Sequence, residues 1–262
     1  IDIRVIGTTT AFKPTRKLIL PERVEEDFHT ICANLGLFSE TGHDIPHKLV
    51  ITSPAAGDGK TTSAINLANS LSKTGRKILL IDGDLRKPDI RHLLDLPEDL
   101  PTINDLVNGT DFERIVTHLA LSTHLDVLLA KTNSPSEAFD ILTKFKNNGY
   151  SERIFSRYDH VIIDTPPMLA FPDAKIWAKM VGSVVLTGLA GNTTGLEMKK
   201  AVEQLAQINV DILGVILCNV QADKENEYAY RYYEKMAKEN NNKKRADSRK
   251  FLMPMSDLNQ DA

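Results

Sequence analysis

The sequence predicts a doubly wound α/β domain built on a mostly parallel sheet. Short β-rich apolar runs (KLVIT, KILLID, LDVLLA, HVIID, SVVLTGL and ILGVILCN) recur from residue 48 onward, and most are continuously apolar, as strands buried on both faces are. Helical stretches separate many of them, giving the strand–helix–strand alternation that builds a covered parallel sheet. A glycine-rich segment, SPAAGDGKTT at 53–62, follows the first of these runs and opens a helix.

Taken in order, residues 1–20 mix a short apolar run (IDIRVIG) with a polar stretch, and read as a strand or lead-in followed by a linker. A helix is predicted from Pro21, a favourable first-turn residue, to about Leu35, with Gly36 beyond its end. Further helices are predicted over 60–74, closed by Gly75, and over 135–148, 172–181 and 194–208. The domain is expected over 21–221. Composition then turns charged, Asn-rich and Tyr-rich, so 222–262 reads as a tail, disordered over 238–262. Its basic cluster, Lys243, Lys244, Arg245, Arg249 and Lys250, reads as solvated.

With 262 residues the chain can bury one sizeable core. A net charge of −3 gives no signature of nucleic-acid binding. Cys32 and Cys218, the only cysteines, each lie in an apolar stretch and read as reduced core thiols of a cytosolic protein. His43 and His47 flank Pro46 in a predicted loop, so no metal pair is expected there. No apolar run approaches the ~20 residues that cross a bilayer, and the segment is expected to be soluble. It opens on Ile1 rather than Met, the expectation for a piece of a longer protein.

Three motifs carry chemistry. In GDGKTT, Gly57 and Gly59 supply permissive backbone for N–H groups to curl around phosphates, and the following helix N-terminus adds its positive end. Lys60 is positioned to reach the β/γ-phosphates and Thr61 to offer its hydroxyl to Mg²⁺, as in P-loop NTPases. Pro54 stands where the usual P-loop pattern has its first glycine. KILLIDGDLRKP ends a strand with Asp82 and Asp84, and HVIIDTPP ends another with Asp164, in the context of a Walker B aspartate.

These motifs, together with SPSEAFDIL at 134–142 and a closing tyrosine cluster, resemble the bacterial tyrosine kinase (BY-kinase) family of capsular and exopolysaccharide synthesis, over about residues 21–233. The resemblance implies a protein-tyrosine kinase with Walker A, A′ and B motifs. Gly57, Asp58, Gly59, Lys60, Thr61 and Thr62 would cradle ATP, and Thr61, Asp82 and Asp164 would organise Mg²⁺. Lys60, Asp82, Asp84 and Asp164 would be catalytic, with Asp82 the candidate base for a phenol of pKa ~10 and Asp84 supporting it. Arg86 receives no firm role. Asn219, ending the last strand, matches a position where related P-loop ATPases contact adenine, and reads equally as a turn residue.

Four of the six tyrosines, Tyr228, Tyr230, Tyr232 and Tyr233, fall within YAYRYY; Tyr228, Tyr230 and Tyr232 share no helical face, so packing explains them poorly. The resemblance makes them phosphoacceptors presented to the active site of a neighbouring subunit in a homo-oligomer. Family members typically carry E-x-x-R-x-x-R on the early helix as an oligomer contact; here Glu26, His29 and Cys32 occupy it, so weaker or different self-association is expected. IDIRVIGTTTAF resembles the segment that follows a transmembrane helix in fused Gram-negative members. This implies the cytoplasmic face of the inner membrane, a membrane-embedded polysaccharide co-polymerase segment as partner, fused or separate, and a cognate tyrosine phosphatase. The rival readings are a partition or septum-site ATPase switch, whose signature lysine is replaced here by Ala55, and a nucleotide-binding scaffold without turnover.

Overall fold

Continuous apolar runs are stable only where both faces of a strand are covered, and the computed structural model covers them on both sides. It describes residues 3–12, 20–38, 47–119, 123–131, 134 and 136–221. Eight strands, β1 (Val5–Thr10), β2 (Lys48–Thr52), β3 (Ile78–Asp82), β4 (Thr117–His118), β5 (Leu125–Leu128), β6 (His160–Asp164), β7 (Ser183–Leu189) and β8 (Asp211–Val220), form one sheet in the order β1-β8-β7-β2-β6-β3-β5-β4. All neighbours are parallel except β4 and β5.

Alternate residues of each run enter different cores. Leu49, Ile51, Ile78, Leu80 and Ile162 face one core with helices α1 (Glu22–Asn34) and α2 (Lys60–Ser72). Val50, Leu79, Ile81, Val161 and Ile163 face the other, built with α5 (Glu137–Asn147), α7 (Asp173–Val181) and α8 (Gly195–Ala206). The short helices α3 (Ile90–Leu93), α4 (Ile103–Val107) and α6 (Tyr150–Phe155) fill the connections.

Helix α1 buries Val24, Phe28, Ile31 and Cys32, one stripe at helical spacing. Cys32 therefore belongs to the core, while Glu26 and His29 face each other at 3.6 Å on its outer side. The lead-in also joins the domain: Val5–Thr10 pairs in parallel with β8, with Ile6 and Thr9 buried. That pairing is worth more than an isolated lead-in because it satisfies the open edge of β8. The linker at 13–19, His43 and the tail that carries Tyr228, Tyr230, Tyr232 and Tyr233 lie outside the described residues.

One glycine governs how β3 and β6 end. A Cβ on Gly83 would meet the Asp164 carbonyl oxygen at 2.5 Å, Ile163 Cγ2 at 2.8 Å and Trp177 Nε1 at 2.8 Å. Its N–H donates to the Asp164 carbonyl at 2.8 Å, and its own carbonyl accepts from Trp177 Nε1 at 3.2 Å. Gly83→Ala is expected to lower unfolding free energy by about 2 kcal/mol, because backbone and a buried indole must give way. Urea denaturation measures it, and an unchanged midpoint would show that these strand ends are not so tightly joined.

Candidate active site

The glycine-rich loop leaves the central strand β2, flanked by β7 and β6, and enters α2. Gly57 and Gly59 sit at φ +85° and +86°, in the left-handed region that side chains disfavour. Gly59 is doubly constrained, since a Cβ there would stand 2.8 Å from Cys218 Sγ. The buried Asp58 carboxylate accepts from the Ala55 N–H at 2.9 Å and from the Thr193 hydroxyl at 2.7 Å. Ser53 Oγ donates to the Ala55 carbonyl at 2.5 Å. The loop is thus tied by side chains, with Pro54 buried within it, and the carboxylate of Asp58 is turned into this scaffold.

No side chain caps the first turn of α2, so its N–H groups are left for an anion. Lys60 opens the helix, nearly buried, with Nζ 3.4 Å from the Ala55 carbonyl. Burial pulls its pKa down, while Asp164, Asp84 and Asp58 pull the other way. Thr61 and Thr62 follow, half-buried.

On the next two strands, Asp82 and Asp164 are paired across the parallel ladder at the carboxyl ends of β3 and β6. Both are buried. Asp82 Oδ2 accepts from the Ile90 N–H at 3.3 Å, whereas Asp82 Oδ1 and both oxygens of Asp164 have no hydrogen-bond partner. Burial, and then the charges of Asp164 and Asp84, push the Asp82 carboxyl well above the usual range. Burial pushes Asp164 up to about 7, partly offset by the nearby Thr61 hydroxyl and by Lys60. Asp84, half-buried, is raised by burial and held down by the N–H groups of Lys87 and Arg86.

Buried carboxylate oxygens without partners are costly unless something positive joins them. The donor set is all oxygen, which suits Mg²⁺, an ion commonly held by one or two carboxylates together with substrate phosphates. Among the described residues no group of three or more His, Cys, Asp or Glu is placed to hold a metal ion.

The loop, Asp84, Arg86 and Lys87 line one cavity of about 650 Å³ together with Asp89, Leu93, Pro167 and Phe171. Asn219 lies elsewhere on the same edge of the sheet. It is exposed at φ +61° at the end of β8, two strands from β2 on the side away from Asp82, and it follows Cys218, which packs on Gly59.

Sequence reasoning missed one pair altogether. Asp173, fully buried at the start of α7, receives Arg86 through Nε at 3.1 Å and Nη2 at 3.0 Å, and the Arg86 guanidinium lies 4.6 Å from the centroid of the Phe171 ring. Arg86 is marked by its motif, but its partner Asp173 is 87 residues away and nothing local marks it.

Comparison with known proteins agrees with this geometry. The AAA domain family model matches residues 47–186. The putative tyrosine-protein kinase CapB of Staphylococcus aureus is 31% identical over 211 residues, covering 80% of this chain and 91% of that protein. The tyrosine-protein kinase YwqD of Bacillus subtilis is 34% identical over 205 residues, covering 78% and 85%. The putative tyrosine-protein kinase AmsA of Erwinia amylovora is 31% identical over 70% of this chain, a match to only 25% of that longer protein. Among solved structures, the kinase domain of the Escherichia coli tyrosine kinase ETK superposes with a TM-score of 0.72 at 25% identity, over 85% of this chain and 93% of that one. The septum-site protein MinD of Pyrococcus horikoshii, with Mg-ADP, reaches a TM-score of 0.53 at 23% identity over 65% and 69%, a likeness of fold alone. Relatives above 30% identity that align over most of their own length settle the affiliation: the chain belongs to the bacterial tyrosine-protein kinase family.

Proposed function

We propose that this tyrosine kinase transfers the γ-phosphoryl group of Mg-ATP to tyrosines of its own C-terminal segment, Tyr228, Tyr230, Tyr232 and Tyr233, presented by a neighbouring subunit. The observation that carries the reading is the pair of adjacent buried acids, Asp82 and Asp164, with three oxygens lacking partners beside a phosphate loop whose helix is uncapped.

In this mechanism the amides of Gly57, Asp58, Gly59, Lys60, Thr61 and Thr62 hold the phosphates, and Lys60 Nζ meets the charge on the moving group. Thr61, Asp164 and Asp82 would hold Mg²⁺, directly or through water, and the bound ion would supply charge neutralisation along the phosphate chain. The phenol oxygen forms its bond to the γ-phosphorus as the bond to the β–γ bridging oxygen breaks, and ADP leaves. Asp82 is the candidate to accept the phenol proton at this acidic strand end, because a phenol of pKa ~10 is a poor nucleophile until its proton is taken. Asp84, fixed by two backbone N–H groups, supports the charge at this strand end. Asn219 meets the adenine from the other side of the loop.

The biological setting follows the same family. The kinase acts in capsule or exopolysaccharide synthesis at the cytoplasmic face of the inner membrane. It works with a membrane-embedded co-polymerase segment, fused or separate, and a tyrosine phosphatase resets it. Supporting this, the AmsA match shows the same domain inside a longer chain. No described helix is long and apolar enough to cross a membrane, so any anchor is supplied from outside these residues. Self-association relies on surfaces other than the early helix, because Cys32 is buried there and His29 faces Glu26.

Incubation with Mg-ATP followed by mass spectrometry is expected to find phosphotyrosine within 228–233, lost in Lys60→Met. Asp82→Asn is expected to lose transfer at least about a hundredfold while keeping most of its nucleotide affinity. Hydrolysis of ATP without phosphotyrosine would favour a switch ATPase, and binding with neither reaction a scaffold.

Asp164 also sets a pH dependence. Its carboxyl rises from the ordinary 3.8 to about 7, so the native chain binds more protons than the unfolded chain between these values. The stability it contributes is complete below about pH 4 and is lost as pH rises through about 7, in the metal-free protein. Asp164→Asn is therefore expected to raise the Tm of the nucleotide-free chain by a few degrees at about pH 8. A lower Tm there would show that the carboxylate is already compensated.

Light scattering on the dephosphorylated protein is expected to find weaker association than in relatives with both arginines; a stable ring without phosphorylation would contradict this.

A further inference from the structure

The nucleotide and the acceptor must approach the γ-phosphate from different directions, and the strand order separates those directions. On one side of β2 the carboxyl edge of the sheet runs through β7 to β8 and Asn219; on the other it runs through β6 and β3 to Asp164, Asp82 and Asp84. If the base of the nucleotide lies toward Asn219, the wall formed after β3 and β6 is left for the acceptor. That wall is part of the cavity next to the phosphate loop, and its apolar members are Leu93, Pro167 and Phe171.

Phe171 stands out on this wall. Four large apolar side chains are exposed among the described residues, Val5, Phe139, Phe171 and Leu196, and only Phe171 lines the cavity. It is 37% exposed although the Arg86 guanidinium stacks on its ring. The ring is also held in place. Arg86 is anchored by the buried Asp173, two residues beyond Phe171, and the Arg86 N–H donates to Asp84 Oδ1 at 3.3 Å. A single residue thus links the acidic strand end, where the phenol oxygen must lie, to an exposed aromatic surface.

We infer that Phe171, held by Arg86 and Asp173, is the docking surface for the ring of the acceptor tyrosine, and so a specificity-determining residue for the phosphorylated side chain. The inference rests on the kinase reading above. Aromatic pairs prefer edge-to-face or offset packing, and a ring already covered on one side by a cation keeps its free area for such a contact. A serine or threonine hydroxyl at the same depth would leave this apolar area uncovered and would bring the acceptor backbone into the cavity. Discrimination for tyrosine then comes from the wall as well as from reach.

The test uses the full chain, Mg-ATP and a synthetic acceptor peptide with the sequence DKENEYAYRYYEK. Phe171→Ala is expected to raise the KM for the peptide several-fold, up to about tenfold, with Phe171→Tyr close to wild type. The affinity for a fluorescent ADP analogue and the Tm should stay unchanged, which a merely structural role for an exposed ring does not predict together with the KM shift. An unchanged peptide KM in an otherwise active Phe171→Ala enzyme overturns this inference alone. Weakened nucleotide binding with unchanged KM also overturns it, assigning the wall to the nucleotide. A wild-type chain that transfers no phosphate to any tyrosine removes the kinase reading, and this inference with it.

Discussion

Asp82 and Asp164 stand side by side at the ends of two neighbouring parallel strands, both buried, with three of their oxygens unpartnered. Burial makes both carboxyls resist ionisation, and at Asp82 the charges of Asp164 and Asp84 add to it, so both proton affinities rise. Much of the surrounding structure serves to keep them there. Gly83 permits β3 to close onto the backbone of β6, and the indole of Trp177 locks that closure. The sheet supplies rigidity, since β3 and β6 are each buried along their length. The arrangement persists because the fold over-determines it.

The phosphate loop solves a complementary problem. It must present backbone N–H groups to an anion without closing them off through its own side chains. The loop is therefore tightened from within, by Ser53 and Asp58, and from behind, by Thr193 and Cys218. The helix that follows remains uncapped. Lys60 and the start of α2 line the same cavity as Asp84. Charge on a transferred phosphoryl group is met by groups already in position, the arrangement that makes electrostatic catalysis effective.

Several features of this architecture were legible in the sequence. The runs that became β2, β3, β6 and β7 were readable because burial on both faces removes polar alternation. The loop and the strand-end acids were readable because each motif is local, and they meet in space because parallel strands carry their carboxyl ends to one edge. What stayed hidden was non-local or weakly patterned. Strand β1 lies in a run that reads as either a strand or a lead-in, and its place in the sheet is set by pairing with β8 some two hundred residues later. Strand β4 has two residues. The inward turn of Asp58 depends on Thr193, and the Arg86–Asp173 pair on a contact between separate loops. The contact that holds Phe171 at the cavity belongs to that hidden class.

The central claim is that burial raises the proton affinity of Asp82 and Asp164, and that a cation joining their unpartnered oxygens displaces protons. Titration calorimetry of Mg-nucleotide binding near neutral pH, repeated in buffers of different ionisation enthalpy, measures the protons released. The account predicts a buffer-dependent enthalpy from net proton release, reduced in Asp164→Asn. Binding with no buffer dependence in the wild-type chain would mean that the acids are already ionised, and would contradict it.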